Sequence, residues 1–315
     1  MPTPAAPPET PGPLLVIGGA EDKVGTSRVL RRFVRTAGGR RARIALVPTA
    51  SSVEPEMVEV YTRVLTDLGA GRVDAVAPGS RAEADDPALA AVVGQSSGVF
   101  LTGGSQLKLA QIVTGTALGT AVLAAHRRGA VVAGTSAGAS IMSRHMISLG
   151  GHGVTPRQRS SQLTAGLGLL DDVVVDQHFD QRTRHGRLLS VVATSPSLLG
   201  MGVDEDTAAL VTERRWLEVV GSGSVFLVDA RSATSDAHEA RAGAPLLLSG
   251  AVVHTLPAGA RFDLERRVLV SFTERHPDRA ITGATAEPDE VRALAARLRA
   301  QLHRSEDLEE VETRD

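Results

Sequence analysis

The chain has 315 residues, 42% of them hydrophobic, and a net charge of −2, so it is long enough to bury a sizeable core and carries no global field toward nucleic acid or a membrane surface. It has no cysteine, which excludes disulfide staples, thiolate catalysis and cysteine-ligated metals. The opening MPTPAAPPETPGP lacks a basic n-region and an apolar h-region, and no apolar run approaches about 18 residues; a cytoplasmic protein with neither nucleic-acid nor membrane partner is expected.

Residues 1–13 read as a flexible proline-rich lead. LLVIGG (14–19) is an apolar run ended by glycines, the pattern of a buried strand and its turn. A helix near 26–38 then leads to RIALVPTASS (43–52), a helix near 54–68 to RVDAVAP (72–78), and a helix near 86–93 to GVFLTGG (98–104). Helices over 105–128 precede the strand AVVAG (130–134) and a helix from about 137 to 143. Continuously apolar strands alternating with helices imply an α/β fold, a mostly parallel sheet sandwiched by helices, with functional residues at the carboxyl ends of the strands. Residues 148–166, rich in Gly, Ser, Thr and Gln, read as a long loop able to cover the site. LLDDVVVDQHF (169–179) is a further strand, TRHGRLLSVVATS (183–195) a helix and LLGMGVDEDTAALV (198–211) a strand pair. From WLEVVG (216–221) onward, SVFLVDA (224–230), PLLLSGAVVHTL (245–256) and RFDLERRVLVSF (261–272) predict a β-rich, antiparallel extension of a single domain over 14–275. A charged helix near 287–303 and the acidic EDLEEVE end make up a tail, 276–315, expected to be partly disordered. Lys23 and Lys108 are the chain's only lysines, and both fall in segments quoted below.

Chemistry concentrates at GTSAGAS (134–140). A serine nucleophile must project clear of the backbone, and a glycine two residues before and two after Ser136, directly behind an apolar strand, suits a sharp strand-to-helix elbow. An oxyanion hole needs backbone N–H donors; Ala137 is one candidate, and Gly103 or Gly104 of LTGGSQ supplies the other. Among nine histidines His178 stands at the carboxyl end of a buried strand and is the preferred base, with His152 of the long loop as rival. The orienting acid is sought in Asp204, Glu205 and Asp206 rather than in Asp171, Asp172 or Asp176, because Asp176 is two residues from His178 and shares its strand face.

Taken together, IGGAEDK (17–23), PTASS (48–52), LTGGSQLKL (101–109), GTSAGAS, DQHFDQRTRHGRL (176–188) and GVDEDTA (202–208) resemble the cyanophycinase family of serine peptidases over about residues 14–230. The resemblance implies a glutaminase-like three-layer α/β/α sandwich related to aspartyl dipeptidases, with Ser136, His178 and Glu205 at the catalytic positions. It further implies substrate binding by Gln106, Asp176, Gln177, Arg182, Arg184 and Arg187, no metal or other cofactor, and a homodimer. The implied substrate is cyanophycin, an aspartate polymer with arginine on each β-carboxyl, cut to β-aspartyl-arginine dipeptides; arginine forks suit its carboxylates, and an aspartate or amide oxygen its guanidinium. Asp180 and Ser105 depart from the family pattern, the first expected to alter subsite charge. An α-aspartyl dipeptidase would share the elbow but is typically shorter and lacks the arginine-bearing segment. A non-catalytic ligand-binding protein of the same fold is the other alternative, although IGGAED does not follow dinucleotide-binding glycine spacing.

Overall fold

The computed structural model describes residues 10–273 and 280–282. Five strands open it: β1 (Leu14–Ile17), β2 (Arg43–Val47), β3 (Arg72–Ala75), β4 (Gly98–Leu101) and β5 (Val131–Thr135). They pair in parallel in the order β1-β5-β4-β2-β3. The crossovers are α1 (Arg28–Thr36), α2 (Glu54–Asp67), α3 (Arg81–Ala84) with α4 (Pro87–Gly94), and α5 (Gln106–Val113) with α6 (Ala117–Arg127). Side chains cap several of them: the Asp86 carboxylate accepts from the Ala88 N–H, and the Ser105 and Thr116 hydroxyls accept from the Lys108 and Gly119 N–H groups.

The central strands are apolar along their whole length because both sheet faces are covered. Leu15, Ile17, Ile44, Leu46 and Phe100 pack with Leu30 and Phe33 of α1 and Tyr61 and Leu65 of α2. Their neighbours Leu14, Val16, Val47, Val99 and Leu101 turn the other way, onto Leu109 and Val113 of α5 and Leu118 and Val122 of α6.

Beyond β5 and the short α7 (Ala137–Ser140), the loop expected at 148–166 is irregular over 151–160, as the sequence implies, but its two ends pair as a hairpin. Its strands, β6 (His145–Gly150) and β7 (Ser161–Ala165), are antiparallel with a bulge between Ile147 and Leu149. β7 buries no residue fully, so it shows none of the apolar alternation by which a half-buried strand is read.

β8 (Val173–Gln177) and β9 (Leu199–Val203) are parallel and joined by α8 (His185–Thr194). The strand pair expected in 198–211 divides between two sheets: β9 stays with β8, whereas β10 (Thr207–Thr212) runs antiparallel to β1. β11 (Trp216–Gly221) follows on β10, and β12 (Ser224–Asp229) returns to β9. β13 (Thr234–Ser235) and β14 (Leu248–Ser249) form a small pair, and β15 (Val252–Pro257) completes a four-stranded sheet of order β15-β12-β9-β8. β16 (Ala260–Asp263), β17 (Val268–Thr273) and β18 (Ala280–Thr282) extend the first sheet to ten strands, the antiparallel continuation that the sequence implies. The charged helix expected near 287–303 and the acidic end lie outside the described residues.

The smaller sheet is also two-faced. Val173, Val175, Met201 and Val203 join the core shared with the large sheet, while Val174 and Phe179 pack on Leu188 and Val192 of α8. Each such fully buried aliphatic side chain contributes roughly 1.5–3 kcal/mol relative to exposure.

Candidate active site

Ser136 sits between β5 and α7 with φ 53° and ψ −112°, a strained conformation for a residue with a side chain. The two glycines of the motif let the backbones close around it. A Cβ at Gly134 would collide with the carbonyl of Gly138, and one at Gly138 would meet the Leu101 backbone at the end of β4. Oγ of Ser136 therefore points into a cleft of about 640 Å³ at the carboxyl ends of β1, β4, β5 and β8.

His178 follows β8 with φ 47°, which breaks the strand's alternation and frees its ring from the face of Asp176. Its N–H donates to the Gly18 carbonyl at 2.8 Å, and Gly19 lies directly against the imidazole. Nε2 is 2.9 Å from Ser136 Oγ and Nδ1 is 2.6 Å from Glu205 Oε1. A carboxylate at Nδ1 fixes the proton there, leaving Nε2 as acceptor for the serine hydroxyl. Burial holds the imidazole below its ordinary pKa of 6.5; Arg182 and Arg184 act in the same direction, and Glu205 opposes them. The ring is therefore neutral near pH 7, as a base must be.

The three acids of the 204–206 turn have separate partners. Asp204 accepts from the Ser224 N–H at 3.0 Å and hydroxyl at 2.8 Å, and Asp206 from the Asp22 N–H at 2.9 Å and the Ser222 hydroxyl at 2.9 Å. Glu205 alone reaches the histidine. Asp171 is bound to Arg144 and Arg214, and the Nδ1 of His152 is spent on the Arg182 carbonyl at 2.8 Å.

The remaining expected residues divide. Gly104, Gln106, Gln177, Arg182, Arg184 and Arg187 line the cleft with Ser136 and His178. Ala137 is buried at the first turn of α7 beside the nucleophile, and its N–H has no protein partner among the described residues. Asp176 does not reach the cleft. The β8 alternation turns it to the α8 side, fully buried, where the Arg187 guanidinium clamps both of its oxygens and Arg184 Nη1 approaches at 3.3 Å. Its part is to hold those two guanidiniums, and burial lowers the Arg184 pKa to about 10 without discharging it.

Gln177, pointing the other way, links Ser136 to the hairpin. Its Oε1 is 3.4 Å from Ser136 Oγ and 2.9 Å from Arg184 Nη1, and its Nε2 donates to Gln106 Oε1 at 3.0 Å. Gln106 Nε2 donates in turn to the Ile147 and Ser148 carbonyls at 2.5 and 3.0 Å. Ser105 is the N-cap of α5, a task that asparagine performs equally, and Asp180 is exposed and outside the cleft lining.

The same cleft holds a second group, which carries no motif of its own. Glu21, 3% exposed, accepts from Thr135 Oγ1 at 2.6 Å and from the Tyr61 hydroxyl, and Lys23 lies against it. The IGGAEDK segment contained the signal, but Tyr61 comes from α2 and Thr135 from β5, contacts that spacing does not reveal. Among the described residues no group of three His, Asp or Glu side chains is arranged to hold a metal ion.

The sequence model of peptidase family S51 matches residues 14–219. The chain belongs to peptidase family S51. This peptidase is 41% identical over 266 residues to a protein named cyanophycinase from Trichormus variabilis, covering 83% of this chain and 89% of that one. A cyanophycinase from Nostoc sp. matches with the same values, and one from Geminocystis herdmanii is 37% identical over 253 residues, 79% of this chain and 93% of that one. The peptidase also shares its fold with a crystal structure of a peptidase from an acI-B1 Actinobacterium, with a TM-score of 0.56, 21% identity, and coverage of 82% and 98% of the two chains.

Proposed function

We propose that this peptidase is a serine exopeptidase that degrades cyanophycin to β-aspartyl-arginine dipeptides. The observation that carries the reading is the continuous relay Ser136–His178–Glu205, opening on a cleft lined by Arg182, Arg184 and Arg187. The sequence identity to cyanophycinases from several organisms supports the same substrate.

In this reading Ser136 Oγ attacks the scissile carbonyl while its proton passes to His178 Nε2, and Glu205 stabilises the imidazolium through Nδ1–H. The N–H groups of Gly104 and Ala137 receive the developing oxyanion. Collapse of the tetrahedral intermediate transfers the proton from Nε2 to the leaving amine and leaves an acyl-enzyme on Ser136. Water, deprotonated by the same nitrogen, then releases the acid product. No cofactor takes part.

We place the peptidase in the cytoplasm as a homodimer, without a nucleic-acid or membrane partner, and with a single fold unit that does not end at 275 as the sequence suggests, because β18 (Ala280–Thr282) still belongs to the large sheet. No single helix among the described residues is long and apolar enough to cross a membrane, and β15, at the edge of the smaller sheet, carries Val252 and Val253 about half exposed.

Incubation with purified cyanophycin, with product identification and a Ser136→Ala control, tests the function. Dipeptide release that vanishes in the variant is the expected outcome, with a loss of roughly 10⁵-fold or more in kcat. Cleavage of aspartyl dipeptides but not of the polymer would transfer the assignment to an aspartyl dipeptidase.

A further inference from the structure

The cleft contains more positive charge than its proposed chemistry uses, and the cations are not equivalent. Arg184 and Arg187 are committed to Asp176, and Lys108, the other lysine, donates to the Ser51 carbonyl and to Glu54, both at 2.9 Å. Lys23 differs. It follows β1, lines the cleft with Ser136, and has a side chain 29% exposed, whereas the Glu21 carboxylate behind it is 1% exposed.

Its ammonium is fixed in place rather than free to swing. Nζ donates to the Glu21 carbonyl at 3.2 Å, lies 3.1 Å from Glu21 Oε1, and stands 5.0 Å from the centre of the Tyr61 ring on its face. Glu21 is fixed in turn by the Thr135 and Tyr61 hydroxyls, so the carboxylate acts as a rigid seat. An ammonium has three N–H donors, and those not directed at Glu21 find no other acceptor among the described residues. Burying the ammonium fully with Glu21 would cost its desolvation, so the head stays in the cleft, where a second anion can reach it. Lys23 presents its charge in the cleft that Ser136 and Arg182 also line.

We infer that Lys23 determines specificity by receiving a carboxylate of the substrate residue bound beside Ser136. An aspartate polymer bearing β-linked arginine offers two such groups near its cut end, the main-chain terminal carboxylate and the α-carboxylate of the attached arginine. Both present the same chemistry to an ammonium, and substrates amidated at one or the other tell them apart. The inference rests on the proposed cyanophycin-degrading function for its substrate and goes beyond it in assigning the receptor.

The test compares short β-aspartyl-arginine oligomers in three forms: both carboxylates free, the main-chain terminus amidated, and the arginine α-carboxylate amidated. The wild type is expected to show a KM roughly ten- to a hundredfold higher for one amide, the range of a charge-assisted hydrogen bond. Lys23→Met erases that preference, and Lys23→Arg retains most of it. A purely structural role for Lys23 predicts a lower Tm in Lys23→Met with the acid-over-amide preference intact, which would overturn the inference. A wild type that turns over all three forms equally would overturn it too, while leaving the proposed function standing. If the wild type cleaves neither the oligomers nor the polymer, the proposed function fails first and the inference with it.

A second measurement leaves Lys23 unaltered. With two lysines in the chain, ¹⁵N-lysine labelling of the folded Ser136→Ala protein gives two Nζ signals, assigned with Lys108→Arg. Titration with the free-acid oligomer is expected to shift the Lys23 signal and not that of Lys108, and the critical amide should not. No shift of Lys23 at saturating oligomer would refute the assignment.

Discussion

Replacing Gly19 with alanine perturbs the relay without touching any of its three members. The added Cβ would stand 2.5 Å from His178 Nε2 and closer still to Cε1, at a backbone φ of +105° that L side chains rarely adopt. An ordinary carbon–nitrogen contact needs about 3.5 Å, so the imidazole must retreat by about 1 Å. Retreat along the line away from Ser136 would stretch the 2.9 Å bond between them to nearly 4 Å, outside hydrogen-bonding range, and retreat in another direction turns Nε2 away from Oγ. A 1 Å misplacement costs about 10²-fold in rate, and complete loss of the base up to about 10⁴-fold. Gly19→Ala is therefore expected to lower kcat by 10²- to 10⁴-fold, on the order of the losses just cited, with KM changed much less. The strained φ adds about 1–3 kcal/mol of destabilisation. Steady-state kinetics on cyanophycin together with thermal unfolding separate the two effects. A folded variant with kcat within about threefold of wild type would refute the proposed dependence of the base on Gly19.

Three further outcomes follow from the same geometry. The imidazole must be neutral to accept the serine proton, so kcat/KM should fall as pH drops through a His178 pKa lying below 6.5; Glu205 raises that pKa, so Glu205→Gln should move the acid limb to still lower pH and reduce the plateau by roughly 10³- to 10⁴-fold, and a pH–rate profile showing the limb moving upward would contradict the assignment. Asp176→Asn leaves two buried guanidiniums without their countercharge and is expected to cost about 3–5 kcal/mol in urea unfolding, whereas a loss below about 1 kcal/mol would show that Asp176 is not their anchor. Gln106→Ala releases the carbonyls of Ile147 and Ser148 and should raise KM about three- to tenfold with kcat nearly unchanged, which initial-rate measurements over a substrate series would reveal.

The parallel half of the large sheet was legible because its strands are buried on both faces and are therefore apolar throughout, as in LLVI, GVFL and VVAGT. The elbow was legible for a related reason: two glycines at fixed offsets are needed where Gly134 and Gly138 meet neighbouring backbone, and a local motif records local crowding. The hairpin of β6 and β7 was not visible, because strands that bury little carry no periodic signal. Asp176 was misplaced as a cleft residue for another reason: its alternation with Gln177 is plain in the sequence, but the side of β8 on which α8 packs is a tertiary fact. Within the acidic turn, residue types alone left three carboxylates open; the family resemblance pointed to Glu205, and that is the one standing at His178 Nδ1. The Glu21, Tyr61, Thr135 and Lys23 group brings together three separate segments and was beyond reach of spacing arguments.

The division of 198–211 between two sheets has a consequence for the timing of activity during synthesis. Ser136 belongs to the large sheet, His178 to the end of the smaller one, 42 residues later, and Glu205, another 27 on, to the turn that joins them. A nascent chain that has already formed its parallel core therefore displays a nucleophile with neither base nor acid. On the proposed mechanism Ser136 gains its base and acid only when that turn has been delivered and the two sheets have docked, so the closing of the fold itself acts as the activation step.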